Sequence, residues 1–402
     1  MARSIKIKDY SYQLPEDRIA KQPLSNRADS KLLCYQKGEI SQDGFSAIPS
    51  YLPANATLIF NNTKVIYARL YFPNPTAKSK PIEVFILEPT EESTIERAML
   101  HTGHSRWKCF VGNNRDFTSE SVSKDFIYQD QVFTLKALKP KQVDDIFVID
   151  FEWDVPLSFA EILNLSGMIP LPPYLKRMAE ESDRLRYQTV YAKQEGSVAA
   201  PTAGLHFTPE ILTELEQKQI KKEYVVLHVG AGTFKPVKAD AMADHTMHSE
   251  EIIVSKACLE NLVSNSDQLI AVGTTSLRTL ESLFWIGWKI NNGASNIEVK
   301  QWDAYDISIP ADFTYEAALK SILNYLESNH KECLQTKTQL LIAPGYQIRS
   351  VKGLITNFHQ PNSTLLLLVA AFVGSDWKRI YDYALANDFR FLSYGDSSLL
   401  LP

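Results

Sequence analysis

The chain has 402 residues and a formal net charge of −5, with 45% hydrophobic and 22% charged residues. It is longer than the size at which a single hydrophobic core usually stops growing, so we expect two domains. The acidic balance excludes a chain-wide basic surface, so a nucleic-acid partner would have to bind a local basic patch.

The cysteines and the apolar segments indicate the cellular compartment. The four cysteines are widely spaced and form no C-x-x-C pair, which predicts free thiols in a reducing environment rather than disulfides or a zinc site. The N-terminus has no apolar signal sequence, and the longest apolar run, 365–373, is about half as long as a membrane helix. We therefore expect a cytoplasmic protein without a membrane partner, and we take it to be a monomer.

In chain order, the first part of the sequence predicts short strands and then an all-β module. Apolar strands end at Tyr35 and span 57–60 and 65–72. Between Phe72 and Asp154, short strand-like runs are separated by Pro, Gly, Asn and Asp, and no long helical pattern intervenes. These runs are 82–87, 106–111, 132–138 and 146–153.

After Asp154, helices alternate with strands, which is typical of an α/β layer with a largely parallel sheet. The predicted helices are 157–165, 180–192, 209–218, 260–263, 276–288, 363–373 and 377–387. The predicted strands are 222–229, 268–272, 338–343 and 353–356. We therefore predict an α/β domain (1–70 plus 155–402), with a mixed, largely parallel sheet flanked by helices, and an inserted all-β barrel-like domain (71–154).

The segment 197–208 has neither a helical nor a strand period. Pro201 restricts the backbone, Gly204 allows a close approach to a ligand, and His206 is the one imidazole of the segment. A helix start follows at Thr208. Taken alone, the segment fits a tight connection and the wall of a binding site equally well.

A second glycine-containing loop follows the predicted strand 222–229. His228 precedes Gly230, Gly232 and Thr233, and the two glycines allow a close approach to a ligand. The loop lacks the third glycine and the following helix of a dinucleotide site, so a plain glycine turn remains an alternative.

The stretch 243–251 combines two imidazoles with three carboxylates. A metal ion held by His245, His248 and Glu250 would make the chain a metal-dependent hydrolase, but their spacing matches no zinc motif. The stretch also fits a solvated turn, or a substrate-binding edge with an acid/base histidine.

The start of the predicted helix 276–288 suits an anion. Thr274, Thr275 and Arg278 lie there, next to N–H groups that a helix leaves without partners. In the alternative, Arg278 only pairs with Glu281 on the same helix face.

Asn357 and His359 end another predicted strand, and helix capping explains neither of them. Tyr394 and Asp396 belong to an aromatic-polar segment that is typical of a nucleobase site or of an ordinary final strand. A basic cluster beside an aromatic loop suits a phosphate backbone, although a solvated helix face explains it as well. The cluster comprises Lys176, Arg177, Arg184 and Arg186.

Together these stretches resemble one family, the S-adenosylmethionine:tRNA ribosyltransferase-isomerases of queuosine biosynthesis. The resemblance runs in order along nearly the whole chain. It is carried by 62–70, 186–192, 199–208, 227–237, 245–250, 272–282, 344–346, 354–368 and 390–396. The chain departs from the family pattern at Lys31, at Gln360, at 343–344, at 397–398, and at 109–124, which lacks the usual lysine-rich strand.

The resemblance implies an α/β fold with an inserted β-barrel. It implies transfer and isomerisation of the ribosyl moiety of S-adenosylmethionine onto 7-aminomethyl-7-deazaguanine in tRNA. The products are epoxyqueuosine in tRNA, adenine and methionine; S-adenosylmethionine is a co-substrate, and no metal or prosthetic group is expected. A non-catalytic tRNA- or nucleotide-binding paralogue is the alternative.

On this resemblance we assign roles to individual residues. Proton transfer is assigned to four histidines, of which the first is ranked highest and expected to face the reacting carbon: His206, His228, His248 and His359. The methionine carboxylate is assigned to Arg278, Thr274 and Thr275, and ribose hydroxyls or the substrate amine to Glu250 and Asp396. The other predicted substrate-binding residues are Thr202, Gly204, Gly230, Gly232, Thr233, Asn357 and Tyr394. tRNA binding is assigned to Lys176, Arg177, Arg184 and Arg186.

Overall fold

The computed structural model describes residues 2–74, 80–90, 94–143, 146–230 and 239–402. The strands are β1 Lys31–Gln36, β2 Glu39–Gly44, β3 Thr57–Asn61, β4 Thr63–Val65, β5 Arg69–Phe72, β6 Ile82–Pro89, β7 His104–Gly112, β8 Ser121–Tyr128, β9 Gln131–Leu138, β10 Lys141–Val143, β11 Ile146–Trp153, β12 Gln194–Ser197, β13 Lys221–Leu227, β14 Glu250–Ser255, β15 Leu269–Val272, β16 Cys333–Thr338, β17 Gly353–Asn357 and β18 Ser397–Leu401. The α-helices are α1 Ile48–Tyr51, α2 Ile95–Met99, α3 Phe159–Ser166, α4 Asp183–Arg186, α5 Pro209–Gln217, α6 Lys256–Ser264, α7 Thr274–Asn291, α8 Asp303–Asp306, α9 Tyr315–Ser328, α10 Thr364–Val373 and α11 Trp377–Ala386.

The larger sheet has the strand order β16–β14–β13–β3–β15–β17–β18–β1–β2. Its central strands β13, β3, β15 and β17 are parallel neighbours. Over the described residues, four of its eight pairings are parallel and four are antiparallel. The sheet is therefore mixed, as expected, but the prediction that it is largely parallel holds only for its centre, because antiparallel strands are added at both edges.

Both faces of the larger sheet are buried at its inner strands, whereas the edge strands β2 and β16 are partly exposed. Alternate residues of β1 belong to different hydrophobic clusters: Leu33 packs with α7, α9, α10 and α11, whereas Leu32 packs with α1 and α5. In β3, Ile59 and Phe60 divide in the same way. Because side chains alternate along a strand, continuous apolar runs such as 57–60 are what a sheet covered on both faces requires.

The second sheet is antiparallel and barrel-like. Its strand order is β5–β6–β7–β11–β9–β8, with β10 paired to β11, and β5 approaches β8 so that the sheet nearly closes. Its interior contains Trp107, Phe151 and Phe159, the last contributed by α3. The strands of this sheet lie between Arg69 and Trp153, which agrees with an all-β module here, while the division into domains remains a prediction.

Three predicted elements differ from the structure. The predicted helix 180–192 is reduced to α4, whose first residue, Asp183, is buried and accepts hydrogen bonds from Arg177, Glu180 and Tyr394. β16 ends at Thr338, where the predicted strand 338–343 was expected to begin. Thr338 Oγ1 accepts a hydrogen bond from the Leu340 N–H, and the chain turns there. The predicted strand 65–72 is divided into β4 and β5.

None of the helices in the described ranges has the length and apolar character that a bilayer crossing requires.

Candidate active site

A cavity lies at one edge of the larger sheet. The loops that follow β13, β15 and β17 contribute to its wall, and these strands run in the same direction. The wall is formed mainly by 199–203, 273–275, 340–342, 356–360, 363–365 and 392–393. Ligands of open α/β sheets bind at the carboxyl ends of parallel strands, so this is the expected place for a substrate.

A buried ion pair forms one side of the cavity. Glu250 Oε2 lies 2.5 Å from Arg278 Nη1, and the two side chains are 4% and 14% exposed. Glu250 Oε1 accepts the backbone N–H of Gly230 at 3.1 Å. The alternative pairing of Arg278 with Glu281 does not occur, because Glu281 is fully buried and binds Tyr346 and Ser350.

The first turn of α7 also faces the cavity. Gly273 precedes the helix with φ +93°, a left-handed conformation that glycine adopts readily. Thr274, Thr275 and Arg278, the residues predicted to form an anion site, line the cavity. Within the described part of the chain, Thr275 Oγ1 and Arg278 Nε are buried without a hydrogen-bond partner. Buried polar atoms are usually satisfied, so these two atoms suit a bound polar group.

Three histidines line the cavity. Burial lowers the pKa of His359 to about 4, and its Nε2 lies 2.9 Å from Thr356 Oγ1. His248 is exposed at the rim, and its backbone carbonyl accepts from Arg278 at 3.3 Å. The pKa of His245 is lowered by burial and by the neighbouring His248. Of these three, His359 and His248 were assigned to proton transfer.

His206 lies behind the cavity wall. His206 is absent from the cavity lining, although residues 199–203 of the same segment, 197–208, belong to that lining. Its ring packs 5.0 Å from that of Phe45 and bonds with Ser30 and Asn357. Burial, followed by Arg390 and Arg27, lowers its pKa to about 3. His206, which was expected to face the reacting carbon, is therefore absent from the lining of this cavity, and its role in proton transfer stays a prediction.

His228 is directed into the protein as well. Its Nδ1 lies 2.8 Å from Thr63 Oγ1, and its ring is adjacent to Gly196. Burial lowers its pKa to about 4. It is absent from the cavity lining, and the nearby Gly232 and Thr233 lie outside the described residues.

The remaining predicted binding residues fall into two groups. Thr202 and Asn357 line the cavity and are joined by a hydrogen bond of 2.8 Å. Tyr394 and Asp396 do not line the cavity and contact protein groups instead. The Tyr394 hydroxyl donates a hydrogen bond to Asp183, and Asp396 forms an ion pair with Arg390.

Gly204 is required by packing rather than by a ligand. A Cβ at this position would lie 1.9 Å from Tyr191 Oη and 2.9 Å from Thr189 Cγ2. Gly204 is buried and does not line the cavity. The close approach that was expected to serve a ligand is therefore made by the protein itself.

The basic cluster is held by contacts within the protein. Arg177 pairs with the buried Asp183, and Arg186 donates to the carbonyl groups of Leu24 and Ser25. Arg184 pairs with Glu181 at 3.2 Å and covers the ring of Tyr67. Lys176 is 63% exposed and pairs with Glu16 at 2.9 Å. Lys176 thus has the most accessible charge of the four.

Two aromatic residues of the site were not assigned from the sequence. Tyr174 and Tyr187 line the cavity, and Tyr174 binds Ser393 through its hydroxyl group. The rigid run Pro172-Pro173 before Tyr174 was the available signal, because consecutive prolines fix the loop that carries this ring.

The described residues contain no group of metal ligands that would support the metal-hydrolase hypothesis. Within the ranges that the structure describes, no three His, Cys, Asp or Glu side chains are placed to hold an ion together. Glu250 is bound by Arg278 instead.

Comparison with known proteins places the whole chain in one family. The model of the family described as "Queuosine biosynthesis protein" matches residues 7–400. A Legionella pneumophila (strain Corby) protein named S-adenosylmethionine:tRNA ribosyltransferase-isomerase is 37% identical over 98% of this chain and 99% of its own length. A protein of the same name from Thermoanaerobacter sp. (strain X514) is 34% identical over 99% of this chain and 100% of its own. A solved S-adenosylmethionine tRNA ribosyltransferase from Thermotoga maritima is 27% identical, with a TM-score of 0.45, and covers 98% of this chain and 100% of its own. The chain therefore belongs to the queuosine biosynthesis protein family.

Proposed function

We propose that this chain transfers and isomerises the ribosyl moiety of S-adenosylmethionine onto 7-aminomethyl-7-deazaguanine in tRNA. Epoxyqueuosine forms in the tRNA, and adenine and methionine leave. The observation that carries the proposal is 37% identity, over 98% of the chain, to a relative named for this activity. The reaction belongs in the cytoplasm, with S-adenosylmethionine as co-substrate and without a metal or prosthetic group.

The first turn of α7 is the proposed site of the methionine carboxylate. A helix N-terminus attracts anions through its unpaired N–H groups and its dipole. Thr275 Oγ1 and Arg278 Nε supply further buried donors at this turn. Glu250, held by Arg278 on one side of the cavity, is the proposed partner of a cationic amine.

Proton transfer is assigned to two of the histidines that line the cavity, His359 and His248. The reaction needs a base that removes a proton from a carbon next to the positive sulfur. The sulfonium makes that carbon acidic enough to lose the proton. His359, whose pKa burial lowers to about 4, is neutral at pH 7, although the same shift makes its ring a weaker base than an exposed imidazole. His248, at the rim, is assigned to the departing adenine or the attacking amine. A positioned acid or base typically contributes about 10²–10⁴-fold to the rate.

The loop that carries Tyr174 is the proposed tRNA-facing border of the cavity. Tyr174 lines the cavity, and the exposed Lys176 follows two residues later. Exposed apolar side chains, Met178 and Leu185, lie on the same stretch. A basic and partly apolar surface suits phosphates together with unstacked bases of an RNA loop.

The proposal is tested by mixing the protein with S-adenosylmethionine and tRNA that carries 7-aminomethyl-7-deazaguanine. We expect release of free adenine that depends on the modified tRNA. tRNA with unmodified guanine at the same position is the control. Absence of release from protein that still binds S-adenosylmethionine would instead favour the non-catalytic paralogue.

A further inference from the structure

A buried chain of hydrogen bonds connects His206 to the cavity wall. His206 Nδ1 lies 2.9 Å from Ser30 Oγ, and its Nε2 lies 3.1 Å from Asn357 Nδ2. Asn357 Oδ1 lies 2.8 Å from Thr202 Oγ1, and Thr202 lines the cavity. The path thus begins in the protein interior and ends at the space available to a ligand.

Two backbone carbonyl groups fix the direction of the bonds in this path. The carbonyl of Asp396 accepts from Asn357 Nδ2 at 3.3 Å, and that of Arg27 accepts from Ser30 Oγ at 3.2 Å. Because a carbonyl oxygen only accepts, the amino group of Asn357 faces Asp396 and His206. His206 Nε2 is then an acceptor without hydrogen, and Nδ1–H donates to Ser30.

The same argument fixes the hydroxyl group of Thr202. Asn357 Oδ1 only accepts, so the Thr202 hydroxyl uses its one hydrogen on this bond. Thr202 Oγ1 can therefore accept a hydrogen bond from a group in the cavity, but it cannot donate one. We propose that His206 is a positioning residue that, through Asn357, presents Thr202 as an acceptor to an O–H or N–H group of S-adenosylmethionine. This inference rests on the proposed function and adds a positioning role to it.

The surroundings of His206 favour orientation over proton transfer. Both ring nitrogens are engaged, and the ring lies outside the cavity lining. Burial and the neighbouring Arg390 and Arg27 lower its pKa to about 3, so the ring stays neutral over the working pH range. A neutral ring with one fixed tautomer keeps the Asn357 amide in one orientation.

His206→Gln and His206→Leu distinguish positioning from proton transfer. Glutamine keeps an uncharged acceptor and donor but does not titrate, whereas leucine has neither. We expect His206→Leu to lower kcat/KM for S-adenosylmethionine about 10- to 100-fold, because it leaves a buried N–H of Asn357 unpaired. We expect His206→Gln to stay within about tenfold of wild type and to keep the wild-type shape of the pH–rate profile. Equal loss of turnover in both folded variants would overturn the proposal.

A double-mutant cycle with Thr202→Val tests whether the two residues act along one path. Valine removes the hydroxyl group and keeps the shape of the side chain. We expect the loss in Thr202→Val/His206→Leu to be no larger than the greater of the two single losses. Independent, multiplicative losses would overturn the proposal.

Two further comparisons keep the result interpretable. If His206→Leu does not fold, the test uses Thr202 alone. We then expect Thr202→Val to lower kcat/KM for S-adenosylmethionine and Thr202→Ser to keep it near the wild-type value. Equal activity of the valine and serine variants would overturn the inference. Wild-type protein that releases no adenine would refute the proposed function itself. Active wild type with unaffected variants would refute only the role of His206.

Discussion

Two ion pairs, one beside the cavity and one in the barrel-like sheet, differ strongly in their exposure to water. Beside the cavity, Glu250 and Arg278 are 4% and 14% exposed. In the barrel, the pair Lys139–Glu120 is 51% and 91% exposed. Over the described residues, the cavity lining comes from 174–393 and includes no residue of the barrel strands.

The difference in exposure determines how much free energy is lost when one partner of a pair is removed. An exposed ion pair contributes about 0–1 kcal/mol, since water solvates either partner alone. Removing one partner of a buried pair costs about 3–5 kcal/mol, because the other charge stays behind unsolvated. We therefore expect the chemistry to depend on the cavity pair and to be insensitive to the barrel pairs.

The largest expected effect comes from breaking the cavity pair. In Glu250→Gln, Arg278 loses its carboxylate and Gly230 N–H loses a charged acceptor. We expect kcat/KM for S-adenosylmethionine to fall about 100-fold or more, as measured by adenine release.

The matched control changes the same residue type in the barrel. Glu88 is 49% exposed and pairs with Lys108 at 3.0 Å. Glu88→Gln should stay within about twofold of wild type. A comparable loss in both variants would show that the barrel takes part in the reaction and would break the comparison.

The sequence was sufficient to locate the cavity. Thr274 and Arg278 were singled out at the start of a predicted helix, and Asn357 and His359 at the end of a predicted strand. The structure brings all four to the cavity wall. This inference works because carboxyl ends of parallel strands meet at one edge of a sheet. The barrel-like sheet was predicted for a similar local reason, since turn residues separate its short strands.

The direction of individual side chains was beyond the sequence. Ser30 meets His206 across 176 positions of the chain, and Asn357 meets it across 151. No local pattern records such contacts, so a histidine next to the wall could not be distinguished from one within it. The antiparallel pairing of β17 with β18 is likewise a long-range contact.

A smaller effect separates the glycines of the two regions. In Gly204→Ala, the new Cβ would lie 1.9 Å from Tyr191 Oη. We expect the free energy of unfolding in urea to fall by about 1–3 kcal/mol, as for overpacked cores. In the barrel, a Cβ at Gly112 would lie 3.2 Å from Glu83 Cβ. Gly112→Ala should remain within about 1 kcal/mol of wild type. Equal losses in the two variants would contradict tighter packing around Gly204 than around Gly112.

The pH dependence of stability provides the next test. The folded-state pKa of His228 is lowered to about 4 by burial, so below its ordinary pKa of 6.5 only the unfolded chain takes up this proton. Its contribution to stability is present above pH 6.5 and is lost as the pH falls towards 4, by up to about 1.4 kcal/mol per pH unit.

His228→Gln should therefore reduce the dependence of stability on pH. The measurement is urea unfolding at about pH 7 and about pH 5. His104→Gln, which removes an imidazole that is 52% exposed in the barrel, controls for the chemical change. An unchanged slope in His228→Gln would contradict a buried, neutral imidazole at this position.

The smallest effect concerns tRNA. Lys176 and Lys139 are both exposed and each pairs with a glutamate, but only Lys176 follows the cavity-lining Tyr174. If Lys176 contacts a phosphate, Lys176→Glu should raise KM for tRNA a few-fold and reduce the salt dependence of binding by about one counterion. The affinity for S-adenosylmethionine should not change, and Lys139→Glu should match wild type in both measurements. If both variants weaken tRNA binding equally, tRNA contacts the barrel-like sheet near Lys139 as well as the loop that carries Tyr174.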